Sequence, residues 1–341
     1  MNAPHANPPA AAAAAAAATT SGASAEPPFF AVKVTRKTAV TKDIFEFELR
    51  DPLGLPLPAS TPGSHLTVQV PGGARRNYSL CGDPANADAY LIAVKRDAQG
   101  RGGSRSLCDG VHQGDLLQIS APRNNFCLHP SAKRFLFIAG GIGITPILSM
   151  MRHLKGQQNS NFKLIYCTRD ADSTAFMADL ASPEFAGHVQ VHHDHGDTNN
   201  AFDFWPLFEA PGDAHVYCCG PRGLMDAVAD TSGHWPSGSI NFESFGVDAS
   251  IYAANTAFTV RLNKAGISVP VAAGQTILQA LRECGHPVPS SCESGTCGSC
   301  RTALLAGEAE HRDMVLNEDE KATQIMVCVS RAKSTELVLD L

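Results

Sequence analysis

The stretch Cys292-Glu293-Ser294-Gly295-Thr296-Cys297-Gly298-Ser299-Cys300 constrains this chain more than any other. With Cys328 downstream it reads C-x4-C-x2-C plus a distant fourth cysteine, the spacing of four thiolate ligands to a [2Fe–2S] cluster. Three ligands on one tight loop can wrap the cluster, and a fourth from a separate element closes the cage. The small residues Ser294, Gly295, Gly298 and Ser299 let backbone N–H groups approach the sulfurs, which tunes the potential. A structural zinc site would pair two C-x2-C knuckles, and only one is present. A disulfide framework belongs to small secreted chains with an even cysteine count, whereas this chain has 341 residues and 11 cysteines.

The length allows two or three domains, and 44% hydrophobic with 18% charged residues describes a globular chain. A formal net charge of −6 argues against a nucleic-acid partner. No apolar run reaches membrane-spanning length. The cysteine usage suggests reduced thiols and a cytoplasmic setting.

Residues 1–28 read as a disordered alanine-rich tail, with an unbroken alanine run from Ala10 to Ala18 and no Lys or Arg before Lys33 to make an export signal. Residues 29–130 carry short β-leaning segments divided by Gly and Pro clusters, among them Leu66 to Val70, Tyr90 to Val94 and Leu116 to Ile119, the pattern of a small antiparallel β-barrel. Residues 131–246 alternate strand and helix. Phe135 to Ala139, Phe162 to Tyr166, Val189 to Val191 and His215 to Cys219 read as strands; Ile147 to Leu154, Ala175 to Leu180 and Gly223 to Asp230 read as helices. The result is an α/β parallel-sheet domain. Residues 247–257 read as a linker. Residues 258–341 restart with a hairpin, a helix from Thr276 to Glu283, the cysteine loop and a last strand at Glu336 to Leu339, a β-grasp pattern.

Outside the cysteines each motif is ambiguous alone. Gly140-Gly141-Ile142-Gly143-Ile144-Thr145-Pro146 follows a strand and opens a helix, as a phosphate cradle does, but it lacks the last glycine of G-x-G-x-x-G and also fits a tight structural turn. Arg76-Asn77-Tyr78-Ser79 supplies a fixed charge and an aromatic face; Gly100-Arg101-Gly102-Gly103-Ser104 suits a second anion cradle. Common surface arginines and glycine turns look the same. His192-His193-Asp194-His195 does not read as a metal site, because neighbouring strand residues face opposite ways. Cys218-Cys219 is unsuited to a disulfide, and Cys219 is a candidate pocket wall. No Ser-His-Asp arrangement suggests a hydrolase.

Together these pieces resemble the single-chain FMN/[2Fe–2S] reductases of Rieske oxygenases. The resemblance is carried by Ala93-Val94-Lys95-Arg96-Asp97, Gly100 to Ser104, Gly140 to Pro146, His192 to Asp197, Ala201 to Trp205, Tyr217 to Pro221 and Pro289 to Gly298. It implies a multidomain α+β chain: an antiparallel β-barrel flavin domain, an α/β parallel-sheet nucleotide domain and a β-grasp plant-type ferredoxin domain. It implies FMN lined by Arg76, Asn77, Tyr78 and Ser79, with Ala93, Val94 and Lys95 along the ribityl chain. Gly102, Gly103, Ser104 and Arg105 would lie about the phosphate, Thr145 where flavin meets nicotinamide, and Phe245 against the isoalloxazine. NADH would lie over Gly141, Gly143, Thr145 and Cys219-Gly220-Pro221, with Asp170 at the ribose hydroxyls, where it would repel a 2′-phosphate. Cys292, Cys297, Cys300 and Cys328 would hold the cluster. The implied activity is NADH-dependent electron transfer to a terminal Rieske oxygenase of an aromatic-ring dioxygenase, by a monomer, with no acid or base beyond the cofactors. The alternatives are the reductase of an aromatic O-demethylase and, from another class, a redox sensor without turnover. The chain carries no recognisable output module for a sensor.

Overall fold

The computed structural model describes residues 28–100, 102–236, 238–245 and 255–341. The alanine-rich tail through residue 27, Arg101, Ser237, Gly246 and residues 247–254 of the expected linker lie outside them.

The first sheet is antiparallel throughout. Its strands are β1 (Phe29–Ala39), β2 (Ile44–Arg50), β3 (His65–Gln69), β4 (Arg75–Ser79), β5 (Tyr90–Lys95) and β6 (Leu116–Ser120), in spatial order β4-β3-β6-β1-β2-β5. Val32 and Val34, Phe47 and Leu49, Leu66 and Val68, and Ile92 and Val94 take alternate positions along their strands and meet in one core, as the two-residue period of a strand requires. The helix α1 (Gly103–Gly110) closes this core with Leu107 and Cys108. Its sequence, glycine at both ends and serine twice within, has turn-like composition, which is why it reads as a loop in the sequence. Tertiary burial overrides that weak propensity.

The second sheet is parallel: β7 (Phe135–Gly140), β8 (Phe162–Thr168), β9 (Val189–His193), β10 (His215–Cys219) and β11 (Ile240–Glu243), in order β11-β10-β7-β8-β9. Helices α2 (Ile144–Gly156), α3 (Met177–Leu180), α4 (Trp205–Phe208) and α5 (Arg222–Ser232) connect the strands. The α2 helix begins three residues earlier than the sequence pattern suggests. The apolar run Ile144, Ile147, Leu148 and Met151 is buried from its first turn, and Pro146 is tolerated there because its missing N–H has no partner within the helix. The helix expected from Ala175 shortens to α3, since Phe176 has a left-handed backbone, φ +61°. Strand order reverses between β7 and β10, so the loops leaving their carboxyl ends border one crevice.

The third sheet is mixed. It contains β12 (Phe258–Leu262), β13 (Ile267–Val271), β14 (Arg301–Ala306), β16 (Gln324–Met326) and β18 (Glu336–Leu339), in order β13-β12-β18-β14-β16, and β15 (Ala309–Glu310) pairs with β17 (Arg331–Ala332) beside it. Helix α6 (Ile277–Glu283) packs Ile277, Leu278 and Leu281 into the same core as Cys300 and Cys328. A short helix, α7 (Glu318–Lys321), precedes β16.

These bodies share interfaces. Ile44, Cys81, Ala93 and Phe126 from around the first sheet join one core with Phe137, Ala139, Ile147 and Tyr217 of the second. Arg152 of α2 donates to the Cys81 carbonyl at 2.6 Å and pairs with Asp179 at 3.1 Å.

The start of α6 is a reciprocal cap: Thr276 Oγ1 accepts from Gln279 N at 3.1 Å, and Gln279 Oε1 accepts from Thr276 N at 3.0 Å. One turn in, Leu278 N donates to Val327 O at 2.9 Å, beside Cys328. Thr276→Ala is therefore expected to cost about 1 kcal/mol. The midpoint for thermal loss of the visible chromophore expected at the cysteine loop should fall by about 4–8 °C. An unchanged midpoint would show that the cap contributes nothing there.

Candidate functional site

The cysteine loop runs Cys292 to Cys300 between α6 and β14, and Cys328 follows β16. The antiparallel pairing of β14 with β16 sets Arg301 opposite Met326, which brings the ends carrying Cys300 and Cys328 together. The four thiols fall into two pairs: Cys292 with Cys297, and Cys300 with Cys328. The Cys297 thiol, and then the side chain and backbone of Ser294 and the N–H of Thr296, hold Cys292 down to about 4 against the opposing effect of burial. Among the described residues no group of His, Cys, Asp or Glu converges on a single ion. Two pairs of thiolates suit a two-iron group, with one pair for each iron, and the inner pair is buried while Cys292 and Cys297 are half-buried.

The flavin candidates lie on β4, β5 and the start of α1. Arg76 and Tyr78 alternate with Asn77, so the Asn77 side chain faces the other way, where its Oδ1 accepts from Thr67 Oγ1 at 2.8 Å. The Tyr78 hydroxyl is buried and has no hydrogen-bond partner among the described residues, and burial pushes it up to about 12. A buried, unpartnered phenol beside an arginine fits a site made for a bound aromatic ring with polar edges. The N-terminus of α1 abuts this strand: a Cβ on Gly103 would lie 2.8 Å from Arg76 Nε. Backbone N–H groups of Gly103, Ser104 and Arg105 with the Arg76 guanidinium make an environment suited to a phosphate. On β5, Val94 points into the barrel core, Ala93 joins the core shared with the second sheet, and Lys95 is exposed, 3.8 Å from Asp43. Phe245 is 47% exposed just past β11.

The nucleotide candidates come from the reversal of strand order. The turn at Gly141 and Gly143 and the loop Cys219-Gly220-Pro221 pack backbone against backbone. A Cβ on Gly143 would sit 2.1 Å from the Cys219 carbonyl oxygen, and one on Gly220 would sit 3.0 Å from Gly140 Cα. No side chain fits at either place, and so the loops present bare backbone to the crevice. Thr145 is fully buried, and its hydroxyl donates to Ile142 O at 3.1 Å within the turn. Asp170 ends β8. Its Oδ1 accepts from Ser173 N at 2.8 Å, which together with the Ser173 hydroxyl keeps the carboxyl ionised, below the ordinary range. His192 and His193 diverge as expected: His192 Nε2 lies 2.7 Å from Asn200 O, and His193 Nε2 lies 3.1 Å from Thr174 Oγ1.

Residues 260–333 match the family model of the 2Fe-2S iron-sulfur cluster binding domain, and residues 137–195 match that of the oxidoreductase NAD-binding domain. The chain is 57% identical to the phthalate 4,5-dioxygenase oxygenase reductase subunit of Pseudomonas putida, over 92% of this chain and 97% of that one. It is 56% identical to the phthalate dioxygenase reductase of Burkholderia cepacia, over 92% and 98%. The chain belongs to the phthalate dioxygenase reductase family. A solved phthalate dioxygenase reductase, described as a modular structure for electron transfer from pyridine nucleotides to [2Fe–2S], superposes with a TM-score of 0.70, covering 92% of this chain and 98% of its own. At 39% identity, over 91% and 99%, stands a vanillate O-demethylase oxidoreductase of a Pseudomonas strain. As a member of this family the chain is an NADH-dependent iron–sulfur flavoprotein oxidoreductase whose cofactors are FMN, a [2Fe–2S] cluster and NADH.

Sequence reasoning about this reductase missed the residues at the junction of the three sheets. Glu243, the last residue of β11, accepts from Ser79 Oγ at 3.3 Å, while Ser294 of the cysteine loop donates to Ser244 O at 3.1 Å. Asn125 Nδ2 donates to Ser291 Oγ at 2.6 Å. His65 on β3 is buried near Arg123 and Cys292; burial and the Arg123 charge hold it below its ordinary value. A short polar strand end such as Asn241-Phe242-Glu243 carries no spacing signal. The one available clue was its place just before Phe245.

Cys297→Ser should abolish or badly destabilise the cluster, seen as loss of its visible and EPR signals. NADH-driven bleaching of the flavin should survive, because its candidate residues lie on the other two sheets. Loss of both in a folded variant would refute that separation. Glu243 supplies a pH dependence. Burial first, and then the Cys292 charge, push its carboxyl up to about 8. Between the ordinary carboxyl range and pH 8 the folded state keeps a proton that the unfolded state has released, so stability falls as pH rises. Glu243→Gln removes that fall: its melting temperature should gain on the wild type from pH 5 to 8 and run parallel above. Parallel curves throughout would show that the carboxyl is not shifted.

Proposed function

We propose that this reductase takes hydride from NADH and delivers single electrons to the terminal Rieske oxygenase of an aromatic-ring dioxygenase, with phthalate as the ring substrate. The observation that carries the reading is the pairing of a bare-backbone nucleotide crevice with a four-thiol site whose loop touches the end of β11 beside Ser79. Identity of 56–57% to phthalate dioxygenase reductases, against 39% to a vanillate O-demethylase oxidoreductase, supports phthalate over an O-demethylase.

When bound, FMN supplies conversion between two-electron and one-electron chemistry, and the cluster supplies one-electron transfer. The protein's own part is binding and orientation. Arg76 and the α1 N-terminus hold the flavin phosphate, Tyr78 and Ser79 line the ring, and Phe245 covers it. Ala93, Val94 and Lys95 border the ribityl chain through their strand, and Asn77 acts through its backbone. Gly141, Gly143, Thr145 and Cys219 to Pro221 receive NADH. Cys292 and Cys297 hold one iron, Cys300 and Cys328 the other. The domains are 29–130 for the flavin, 131–246 for the nucleotide and 258–341 for the cluster, with 247–257 as linker. None of the eleven cysteines is in a disulfide, which accords with a reducing cytoplasm, and no helix among the described residues is long and apolar enough to cross a membrane. A monomer holds a complete set of these residues.

The deciding experiment is reconstitution of NADH oxidation with purified phthalate dioxygenase and, in parallel, with a vanillate demethylase oxygenase, each with its substrate. Coupled product formation with the first and little with the second is expected. The reverse pattern would move the chain to the O-demethylases, and failure to turn over even with an artificial acceptor would favour a sensor. The fixed negative charge of Asp170 leads to a further expectation: kcat/KM for NADH should exceed that for NADPH, and a preference for NADPH would overturn the assignment of Asp170.

A further inference from the structure

One stretch of the third body belongs physically to the second. Segment 311–316 follows β15, and its partly buried Met314 side chain packs against the core on one face of the parallel sheet, as do Leu224 of α5 and Phe242 of β11. The neighbouring carbonyl of Arg312 accepts from Arg222 Nη1 at 2.8 Å. Arg222 opens α5 directly after the Cys219-Gly220-Pro221 loop, and its Nε also pairs with the half-exposed Asp226, four residues on, at 2.7 Å.

The same segment is tied to the cysteine loop. Met314 N donates to Gly295 O at 2.9 Å, and a Cβ on Gly295 would lie 3.1 Å from Asp313 Cα and 2.7 Å from Val329 Cγ2, so the two backbones are in contact. The Asp313 carboxylate is buried and stiffens the turn by accepting from the N–H groups of Val315 and Leu316 and from Ser330 Oγ, two residues past Cys328. Movement of segment 311–316 is thus transmitted to both parts of the thiol set. On the other side, the loop also meets Ser244 and Asn125 through polar bonds.

We infer that Arg222 and Met314 are positioning residues for electron transfer: through segment 311–316 they clamp the cysteine loop to the nucleotide-binding sheet and so set the distance from flavin to cluster. The inference rests on the reading above, in which the barrel holds FMN and the four cysteines hold the cluster. With FMN and the cluster held at these sites, the rate of electron transfer between them would depend on their separation, whereas hydride transfer from NADH would not involve the clamp. Met314→Gln keeps side-chain length and the backbone bond to Gly295 but sets a polar group against an apolar core. Arg222→Ala removes the donor to Arg312 O. Asp226→Ala is the control, because it removes the ion pair and spares that donor.

Stopped-flow reduction of the holoenzyme by NADH resolves flavin bleaching from cluster reduction. In Met314→Gln the first phase should stay at the wild-type rate. The second should slow several-fold. The cluster EPR spectrum and midpoint potential should not change, and small-angle X-ray scattering should show a larger radius of gyration. Arg222→Ala should slow the second phase in the same way, Arg222→Lys should recover most of it, and Asp226→Ala should match the wild type. A wild-type second phase and radius in Met314→Gln, equal slowing of both phases, or an altered EPR spectrum would each overturn the clamp. A wild type with no cluster-reduction phase would overturn the electron-transfer reading itself.

Discussion

Four thiolates gathered in one small volume repel one another, and only a cationic group between them makes the arrangement stable. That requirement governs the carboxyl-terminal third of the chain. Cys300 and Cys328 are built into the same core as α6, β12 and β18, so the inner pair is held by packing against Leu281, Ile325 and Val327. The outer pair sits on a loop whose turns carry positive φ at Glu293, Gly295 and Gly298, which aims backbone N–H groups at sulfur rather than at solvent. The inner pair is the buried half of the site, and the outer pair is the half-exposed one.

The second dependence is topological. Reversal of strand order between β7 and β10 opens a crevice at their carboxyl ends, and the clash that any Cβ on Gly143 would make with the Cys219 carbonyl keeps that crevice lined with backbone. The neighbouring strand, β11, ends at the same rim. Glu243 and Ser244 therefore reach the barrel through Ser79 and the cysteine loop through Ser294. One strand end touches both remaining sheets, which explains why a carboxyl there is shifted so far and why the three bodies have a common meeting point.

Much was legible in the residue string. Phe258 to Leu262 and Glu336 to Leu339 are strands with the bounds the pattern suggests, and the alternation of βα units correctly marks a parallel sheet. Helix α1 was not legible, because Gly-Ser-rich residues favour turns until Leu107 and Cys108 are buried. Strand β11 was not legible either: its four residues are too few to show a period. The Asn77 side chain shows the limit at single-residue resolution. A motif groups it with Arg76 and Tyr78, but the pleat turns it to Thr67.

Local chemistry was therefore determined by the sequence alone. Cysteine spacing specifies four thiolates for iron, glycine placement specifies where backbone approaches backbone, and periodicity specifies which segments are strands, since all three are properties of residues close together in the chain. Tertiary structure decided what lies between these parts. Glu243 beside Ser79, Ser244 beside Ser294 and Arg222 beside Arg312 join residues 50 to 164 positions apart. Such contacts arise from strand order and the packing of separate cores, and no local pattern encodes them.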